Sequence, residues 1–411
     1  MLWRQAFYEE EIVSKLVEKF DGKRVCLWGY GAEGKSSERF LNVYCKPLCV
    51  DIFEGTRENL PIDDYDIIIK SPGVPYIYAD EPKITSQTEL FLEEFKDKTV
   101  GITGTKGKST TTSMLYKVLK ENLGWDVCLL GNIGIPCLDA YDEMSKGAYA
   151  VYEMSCHQLA NNSVSPHVAI FLNLYEDHLD YYETRERYFE AKAHIASFQT
   201  QDDFLIVGES VPEIETKAQV FVIPKFKYDK YNLNVLGNHN QWNAEVVCFV
   251  ASKIFRILKQ DAMKSLEDFN GLPHRLEKFT TINGVTFFDD SISTIPEAAI
   301  SAISSVPDAK CVIVGGMDRG IDYSPLIEEI KKRNDILFVL CYASGQRIYE
   351  QVKELENCIY TEDLKKAVDI AKEKTTAGSV IMSPAAASYG YFKNFEARGD
   401  FFKECVRGTG R

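Results

Sequence analysis

Nothing in these 411 residues stays apolar for the roughly 18 residues that a membrane-spanning helix needs. Residues 1–20 read as an amphipathic helix rather than an export signal. No C-x-x-C pair occurs among the eleven cysteines, so neither a zinc framework nor a disulfide scaffold is expected. Cys26, Cys128, Cys248, Cys311 and Cys341 lie in apolar segments and read as buried thiols of a reducing compartment. Positive charge is scarce: 47 Lys and Arg face 61 Asp and Glu, for a net charge of −14. That balance repels a polyanion, so nucleic acid is not an expected partner. An anionic small-molecule substrate would need a locally positive site. There is no short-period repeat and no low-complexity linker. What remains is a globular, cytoplasmic chain without membrane insertion, in about two to four domains. Its 45% apolar content suffices for several cores.

The strongest local signal is the run Val100 to Thr112, VGITGTKGKSTTT. It reads as a strand, a glycine turn and a helix start. Such a turn aims several backbone N–H groups at one point, and the helix adds its positive end. Gly104, Thr105, Lys106 and Gly107 form the cradle, Lys108 supplies a full charge, and the hydroxyl of Ser109 or Thr110 can take a Mg²⁺ position. This is a nucleoside-triphosphate site. Its spacing is T-G-T-x-G-K-S-T rather than the standard G-x-x-x-x-G-K-[ST], since Ile102 stands where the first glycine would be.

Strand–turn–helix units surround this run. A strand at 23–28 enters Gly29-x-Gly31-x-x-Gly34, with a helix from about 37 to 43. A second strand, 47–50, ends at Asp51, and a third, 65–70, enters Ser71, Pro72 and Gly73. The glycine pattern fits a dinucleotide site, but physically it marks only a diphosphate over a helix N-terminus, and a UDP-sugar carries one as well. After the phosphate loop come a helix at 109–122, strands at 126–130, 148–152 and 168–172, a helix at 186–197, and a helix opening at 236–243 and running to about 258. The last part has a hairpin around Asn283 and Gly284, then strands at 310–314, 336–340 and 379–382. The pattern predicts an α/β protein of three domains, 1–97, 98–272 and 273–411, each an open parallel sheet with ligands at the carboxyl ends of its strands.

Several polar clusters follow strands. Glu153 ends a buried strand, where a carboxylate beside a phosphate loop can hold Mg²⁺. Glu176, Asp177, His178 and Asp180 suit a hard cation better than zinc, and His178 could instead orient a substrate. Lys192, from its helix alone, reads as a surface lysine. His239, Asn240 and Asn243 share one helix face. Arg275, after His274 at a domain junction, can swing onto a triphosphate. Residues 383–390 and 393–399, small and polar and then basic and aromatic, suit a pocket for a small acid.

Taken in order, these motifs resemble the Mur ligases, the ATP-dependent amide-forming enzymes of peptidoglycan assembly. The motifs are T-G-T-x-G-K-S-T, G-N-I-G, E-x-S-x-x-Q-L, N-x-x-E-D-H-L-D, the helical A-K, H-N-x-x-N, L-P-H-R-x-E, D-S, G-G-x-D-R, and S-P-A-x-A-S followed by F-K-N-F-E-x-R-G. The resemblance covers nearly the whole chain, and the ending and compact length are similar to the glutamate-adding members. It implies a UDP-binding Rossmann-like domain, a central P-loop ATPase-type domain and a C-terminal Rossmann-like domain. It implies ATP, UDP-N-acetylmuramoyl-L-alanine and D-glutamate as ligands, with Mg²⁺ at two sites, in a cytoplasmic monomer.

By the resemblance Lys108, His178, Lys192 and Arg275 are catalytic. Ser109, Glu153, His178 and a carbamylated Lys192 hold metal. The phosphate loop, Asn132, Asn240, Asn243, Arg275 and Asp290 surround ATP. Gly31, Ala32, Asp51, Ser71, Pro72, Gly73 and Asn132 bind the uridine diphosphate. His178, Arg319, Ser388, Tyr389 and Phe395 bind the amino acid. One departure stands out: the family's D-S-K-x-T-N reads here as Asp290-Ser291-Ile292-Ser293-Thr294-Ile295, and Tyr389 stands where Leu is common. An L-glutamate-adding relative is therefore the alternative, with a nicotinamide oxidoreductase using residues 29–34 as the reading from another class.

Overall fold

Sixteen strands in three sheets carry the architecture of the computed structural model, which describes residues 14–75, 81–175, 179–225, 230–235 and 237–408. The chain divides into two compact units, Met1–Lys230 with Gln241–Leu266, and Tyr231–Asn240 with Glu267–Arg411.

The first unit holds two wholly parallel sheets. One has the order β2-β1-β3-β4, from β1 (Arg24–Trp28), β2 (Cys49–Phe53), β3 (Ile67–Lys70) and β4 (Ile84–Ser86). The other has the order β10-β9-β8-β5-β7-β6, from β5 (Thr99–Thr103), β6 (Val127–Gly131), β7 (Tyr149–Glu153), β8 (Val168–Phe171), β9 (Phe204–Gly208) and β10 (Gln219–Ile223). Every residue of β5 and β8 is buried, as expected of parallel strands covered on both faces. The edge strand β10 is mostly exposed, and β2 is half-buried to exposed along its length. One apolar core runs through both sheets, with Phe40 of the first edge-on to Tyr141 of the second at 5.0 Å. Each such buried aromatic or aliphatic side chain contributes about 1.5–3 kcal/mol.

The second unit holds one sheet of order β11-β12-β16-β13-β14-β15. Its strands are β11 (Glu277–Ile282), β12 (Val285–Asp289), β13 (Ala309–Val314), β14 (Leu337–Cys341), β15 (Cys358–Thr361) and β16 (Gly378–Met382). The Asn283-Gly284 turn makes β11 and β12 the antiparallel pair, and the rest is parallel.

Some boundaries differ from the sequence reading. Asp51 does not end its strand. It sits mid-strand in β2, opposite Cys26, because β2 runs on to Phe53. The first helix begins inside the glycine pattern, at Ala32–Tyr44. The helix expected to reach 258 stops as Asn238–Lys253, since Arg256 takes a left-handed φ of 56° and a new helix, Lys259–Leu266, follows. Strands β4, β9, β10 and β15 were not anticipated. Among the described residues no helix is long and apolar enough to cross a membrane.

Candidate active site

The order of the second sheet fixes what surrounds the phosphate loop. β5 lies between β7 and β8, so the chain ends after these neighbours flank the turn that leaves β5. That turn passes through Gly107, whose φ of 85° disfavours any other residue, and enters the helix Lys108–Asn122. A Cβ on Gly107 would lie 3.1 Å from Asn243 Oδ1, so Asn243 packs on the loop. Asn173, just past β8, clamps the loop at two points. Its Oδ1 accepts from the Lys106 N–H and its Nδ2 donates to the Lys106 carbonyl, each at 2.9 Å. Thr105 is buried, donates its N–H to Asn173 O at 3.0 Å, and accepts from the Tyr175 N–H at 3.0 Å. Lys108 folds over its own turn, with Nζ 3.0 Å from Gly104 O and 3.1 Å from Thr105 O. Ser109 and Thr110 are half-buried in the first helical turn, and Lys106 is exposed.

Glu153 ends β7 level with Ile102 of β5 and is fully buried. Its Oε1 accepts from Asn132 Nδ2 at 3.0 Å, while the Asn132 N–H donates to its carbonyl at 3.1 Å. Its Oε2 is buried and has no hydrogen-bond partner among the described residues. A buried carboxylate oxygen left without a donor is costly. Such an oxygen beside a phosphate loop fits a hard divalent cation.

Lys192 overturns the surface reading made from its helix alone. The helix Arg185–Ser197 lays this residue inward, and Lys192 is 1% exposed. Its Nζ donates to Gly104 O at 3.0 Å, lies 3.4 Å from Thr103 Oγ1, and stands 4.8 Å from the Tyr188 ring centre. Two amines, of Lys108 and Lys192, thus meet one carbonyl of the loop. Glu176, Asp177 and His178 lie outside the described residues, as does the side chain of Asp180.

The loop after β1 is built the same way. Ser71 donates its hydroxyl to Gly29 O at 2.8 Å and its N–H to Trp28 O at 2.8 Å. A Cβ on Gly34 would lie 2.4 Å from that same Gly29 carbonyl, so only glycine allows the close turn. Gly31, Ala32 and Gly73 are exposed, Pro72 is half-buried, and Asp51 is exposed on the neighbouring strand. The sequence reading missed two charged residues here. Lys70, at the end of β3, is 4% exposed, and the carboxylate of Glu33 is inside the fold, with Oε1 accepting from Gln158 Nε2 at 2.7 Å.

In the second unit Asp290 is buried. Its Oδ1 accepts from the Leu276 N–H at 3.0 Å and its Oδ2 from the hydroxyls of Ser383, at 2.7 Å, and Ser293. Burial pushes its carboxyl up to about 6 against these hydrogen bonds. His274 is buried with Nδ1 2.6 Å from Asp289 Oδ2, a hydrogen bond that raises the imidazole's pKa. Lys403 Nζ closes the cluster, 2.6 Å from Glu277 and 3.4 Å from Asp289. Arg275, next to His274, is exposed. Arg398 went unassigned in the sequence, yet it ties three motifs together. Its buried guanidinium donates to Ser291 O at 2.7 Å, Ser291 Oγ at 3.0 Å and Ala386 O at 3.0 Å. Ser388 is buried, Phe395 packs 6.2 Å from the His274 ring, and Tyr389 is exposed. Arg319 is exposed and donates to Thr294 O at 2.9 Å. Asn240 is buried, on the other side of the unit boundary from Asn243.

A phosphate loop pinned between a buried carboxylate and a clamping asparagine, in a parallel sheet, defines an α/β protein of the nucleotide-binding kind. The Mur ligase middle domain matches residues 102–235, and the Mur ligase glutamate ligase domain matches residues 274–386. The UDP-N-acetylmuramoylalanine–D-glutamate ligase of Aquifex aeolicus (strain VF5) is 31% identical over 412 residues, covering 92% of this chain and 97% of the relative. The UDP-N-acetylmuramoyl-L-alanine–L-glutamate ligase of Salinispora tropica is 29% identical over 451 residues, covering 94% and 98%. Among solved structures, the UDP-N-acetylmuramate-alanine ligase MurC of Thermotoga maritima shares the fold, with a TM-score of 0.59 at 19% identity over 94% of this chain and 100% of that one. The chain belongs to the Mur ligase family. It is an ATP-dependent ligase by that membership, and the nicotinamide alternative for the first glycine loop falls away.

Proposed function

We propose that this chain joins D-glutamate to UDP-N-acetylmuramoyl-L-alanine at the expense of ATP, in cytoplasmic assembly of the peptidoglycan precursor. The observation that carries the reading is the buried pair at the phosphate loop, Glu153 with its partnerless Oε2 and Lys192 with its amine on Gly104 O. The full names of the relatives support the substrates. We place the UDP-binding domain at 1–97, the ATP-binding domain at 98–272 and the closing domain at 273–411, acting as a monomer.

A carboxylate is a poor electrophile because its leaving group would be oxide. The substrate's alanine carboxylate therefore first takes the γ-phosphoryl group of ATP, giving an acyl phosphate and ADP. The glutamate amine attacks this carbonyl, a tetrahedral intermediate forms, and phosphate leaves. Lys108 and the loop N–H groups hold the transferring phosphoryl group, and Arg275 neutralises charge that grows in the transition state. Ser109 and Glu153, and His178 with a carbamylated Lys192, would hold Mg²⁺, which would supply further neutralisation of phosphate charge. Asn132, Asn240, Asn243 and Asp290 orient the nucleotide. His178 or solvent takes the proton that the amine must lose before it attacks. Gly31, Ala32, Asp51 and residues 71–73 hold the UDP, while Arg319, Ser388, Tyr389 and Phe395 hold the amino acid.

A second reading, with L-glutamate as the amino acid, is favoured by one observation. Ile292 and Ile295 stand where the family carries Lys and Asn, and Ile295 is exposed beside Thr294, to which Arg319 bonds. Phosphate release by the purified protein with ATP, Mg²⁺ and UDP-N-acetylmuramoyl-L-alanine, with D- or L-glutamate, tests both. Release with the D form alone supports the first reading, release with the L form alone the second, and release with neither removes glutamate as the substrate.

A further inference from the structure

The six-stranded parallel sheet carries the phosphate loop at its carboxyl end. Its amino end carries a second opening, a cavity of about 280 Å³. Four adjacent strands meet there, in the order β8-β5-β7-β6. Lys98 directly precedes β5, Tyr149 begins β7, and His167 directly precedes β8. Trp125 stands in the turn before β6, after Gly124 with its φ of 64°. Phe255 and Arg256, just past the helix Asn238–Lys253, complete the lining. β5 runs from Thr99 to Thr103, so the cavity and the phosphate loop lie roughly 13 Å apart along one strand. The cavity belongs to neither glycine loop. Its walls are aromatic. Trp125 stacks on Tyr149, with ring centres 5.3 Å and planes 11° apart, and Phe255 meets Tyr149 edge-on at 5.6 Å. Trp125 is nevertheless 56% exposed, so much of the indole beyond the stack is open to a ligand. The charge beside it is positive. Lys98 Nζ is held 4.4 Å from the Tyr149 ring centre and 3.3 Å from its hydroxyl, and Arg256 is exposed. Among the described residues neither cation has a carboxylate partner. Asp97 also lines the cavity but pairs with neither, and the carboxylate of Asp203 is taken up by His167 Nδ1 at 2.8 Å and by Thr200. Two cations without a counter-charge, beside an open indole, stand out in a chain of net charge −14.

We propose that this cavity is a ligand site for a small planar aromatic acid, whose ring lies on Trp125 and whose anionic group bonds to Lys98 and Arg256. Size sets the class. An apolar cavity of about 150 Å³ takes one benzene ring, so about 280 Å³ holds one or two fused rings with an anionic group and nothing much larger. Stacking on the indole selects a flat ring over a puckered one. Charge-assisted hydrogen bonds from the two cations select an acid over its neutral amide. The ammonium of Lys98 is already held in place over Tyr149, so little freedom is lost when an anion arrives. The site stands whatever the two glycine loops bind.

Calorimetric titration of the full chain with indole-3-acetate tests this. Two comparison compounds go beside it: indole-3-acetamide keeps the ring and loses the charge, and cyclohexylacetate keeps the charge and loses the flat ring. Indole-3-acetate is expected to bind at one site with a Kd of about 1 mM or tighter, and each comparison compound about fivefold or more weaker. Trp125→Ala should weaken indole-3-acetate about tenfold, and Trp125→Phe, which restores a flat ring, should recover most of that loss. Lys98→Met and Arg256→Asn should each cost about three- to tenfold. Asparagine is chosen at 256 because it tolerates the left-handed φ of 56° there. Lys108→Met, at the other end of β5, should leave the affinity unchanged, and every variant should keep a cooperative urea transition, which shows that it is folded. A comparison compound that binds as tightly as indole-3-acetate would overturn the proposal. So would folded Trp125→Ala and Lys98→Met variants that bind as wild type does, an equal loss on Lys108→Met, or no binding of indole-3-acetate at about 10 mM.

Discussion

The loop after β5 and the loop after β1 follow one plan, a parallel strand, a glycine turn and a helix, and they differ in the charge they carry. The first carries Lys106 and Lys108 in the turn itself and receives a third amine, that of Lys192, from a distant helix. The second carries an acid, Glu33, and one base, Lys35, in its first helical turn, with Lys70 buried at the end of the strand beside it. Their clamps differ too. Asn173 holds the first loop by both ends of one amide, whereas Ser71 holds the second by a single hydroxyl and its own N–H. A triphosphate that must be attacked calls for fixed positive charge and a rigid cradle. A diphosphate that serves only as a handle must be gripped and later released, and a less charged loop suits that task.

The contrast can be broken most directly at Lys108. Lys108→Met is expected to lower ATP-driven phosphate release by at least about 10³-fold and to leave UDP affinity within about twofold of wild type. If UDP affinity falls in step, the two loops are not independent. Next comes Glu153→Ala, which removes the partnerless oxygen. The Mg²⁺ concentration for half-maximal activity should rise by about 10- to 100-fold, read from a metal titration. Asn173→Ala removes two hydrogen bonds of a buried amide. It should raise the KM for ATP several-fold and cost roughly 1–3 kcal/mol in urea unfolding. Ser71→Ala, the matching cut in the other loop, should cost about 0.5–1.5 kcal/mol and raise only the KM for the UDP substrate.

The smallest effect is a slope with pH. The folded-state pKa of Glu33 is raised, to about 7 from 4.5. The stability it contributes is therefore fully present below about pH 4.5 and lost as pH rises through about 7. Glu33→Gln should flatten the pH dependence of urea unfolding across that window. No change in slope would mean that the carboxylate is solvated.

Much of this was readable from the chain, for a reason that the two loops illustrate. The phosphate loop lies in one contiguous run, so its glycines, lysines and hydroxyls announce themselves together. Glu153 was legible because a carboxylate closing an apolar strand is a local pattern. Lys192 was not. Periodicity can tell which face of a helix is apolar, but not that the helix Arg185–Ser197 lays a lysine against Gly104. Asn173 acts across 67 positions, Lys70 comes to lie beside Trp28 only through sheet order, and Arg398 reaches Ser291 over 107 positions. Such partners are set by which strands become neighbours. The short strand β4 and the edge strands β10 and β15 escaped notice because three to five residues, partly exposed, give too little alternation to read.

The thiols give the protein a built-in reporter. All eleven are free, and burial pushes those of Cys26, Cys45, Cys311 and Cys341 up to about 12, where the reactive thiolate is scarce. Cys49 is different. It opens the edge strand β2, with its sulfur 3.8 Å from Asp51 Oδ2. An alkylating reagent used on the native chain should find Cys49 first, two residues from the Asp51 proposed to hold UDP. The rate of that single modification, slowed by UDP and indifferent to ATP, would follow occupancy of the first loop without an engineered label or a coupled assay.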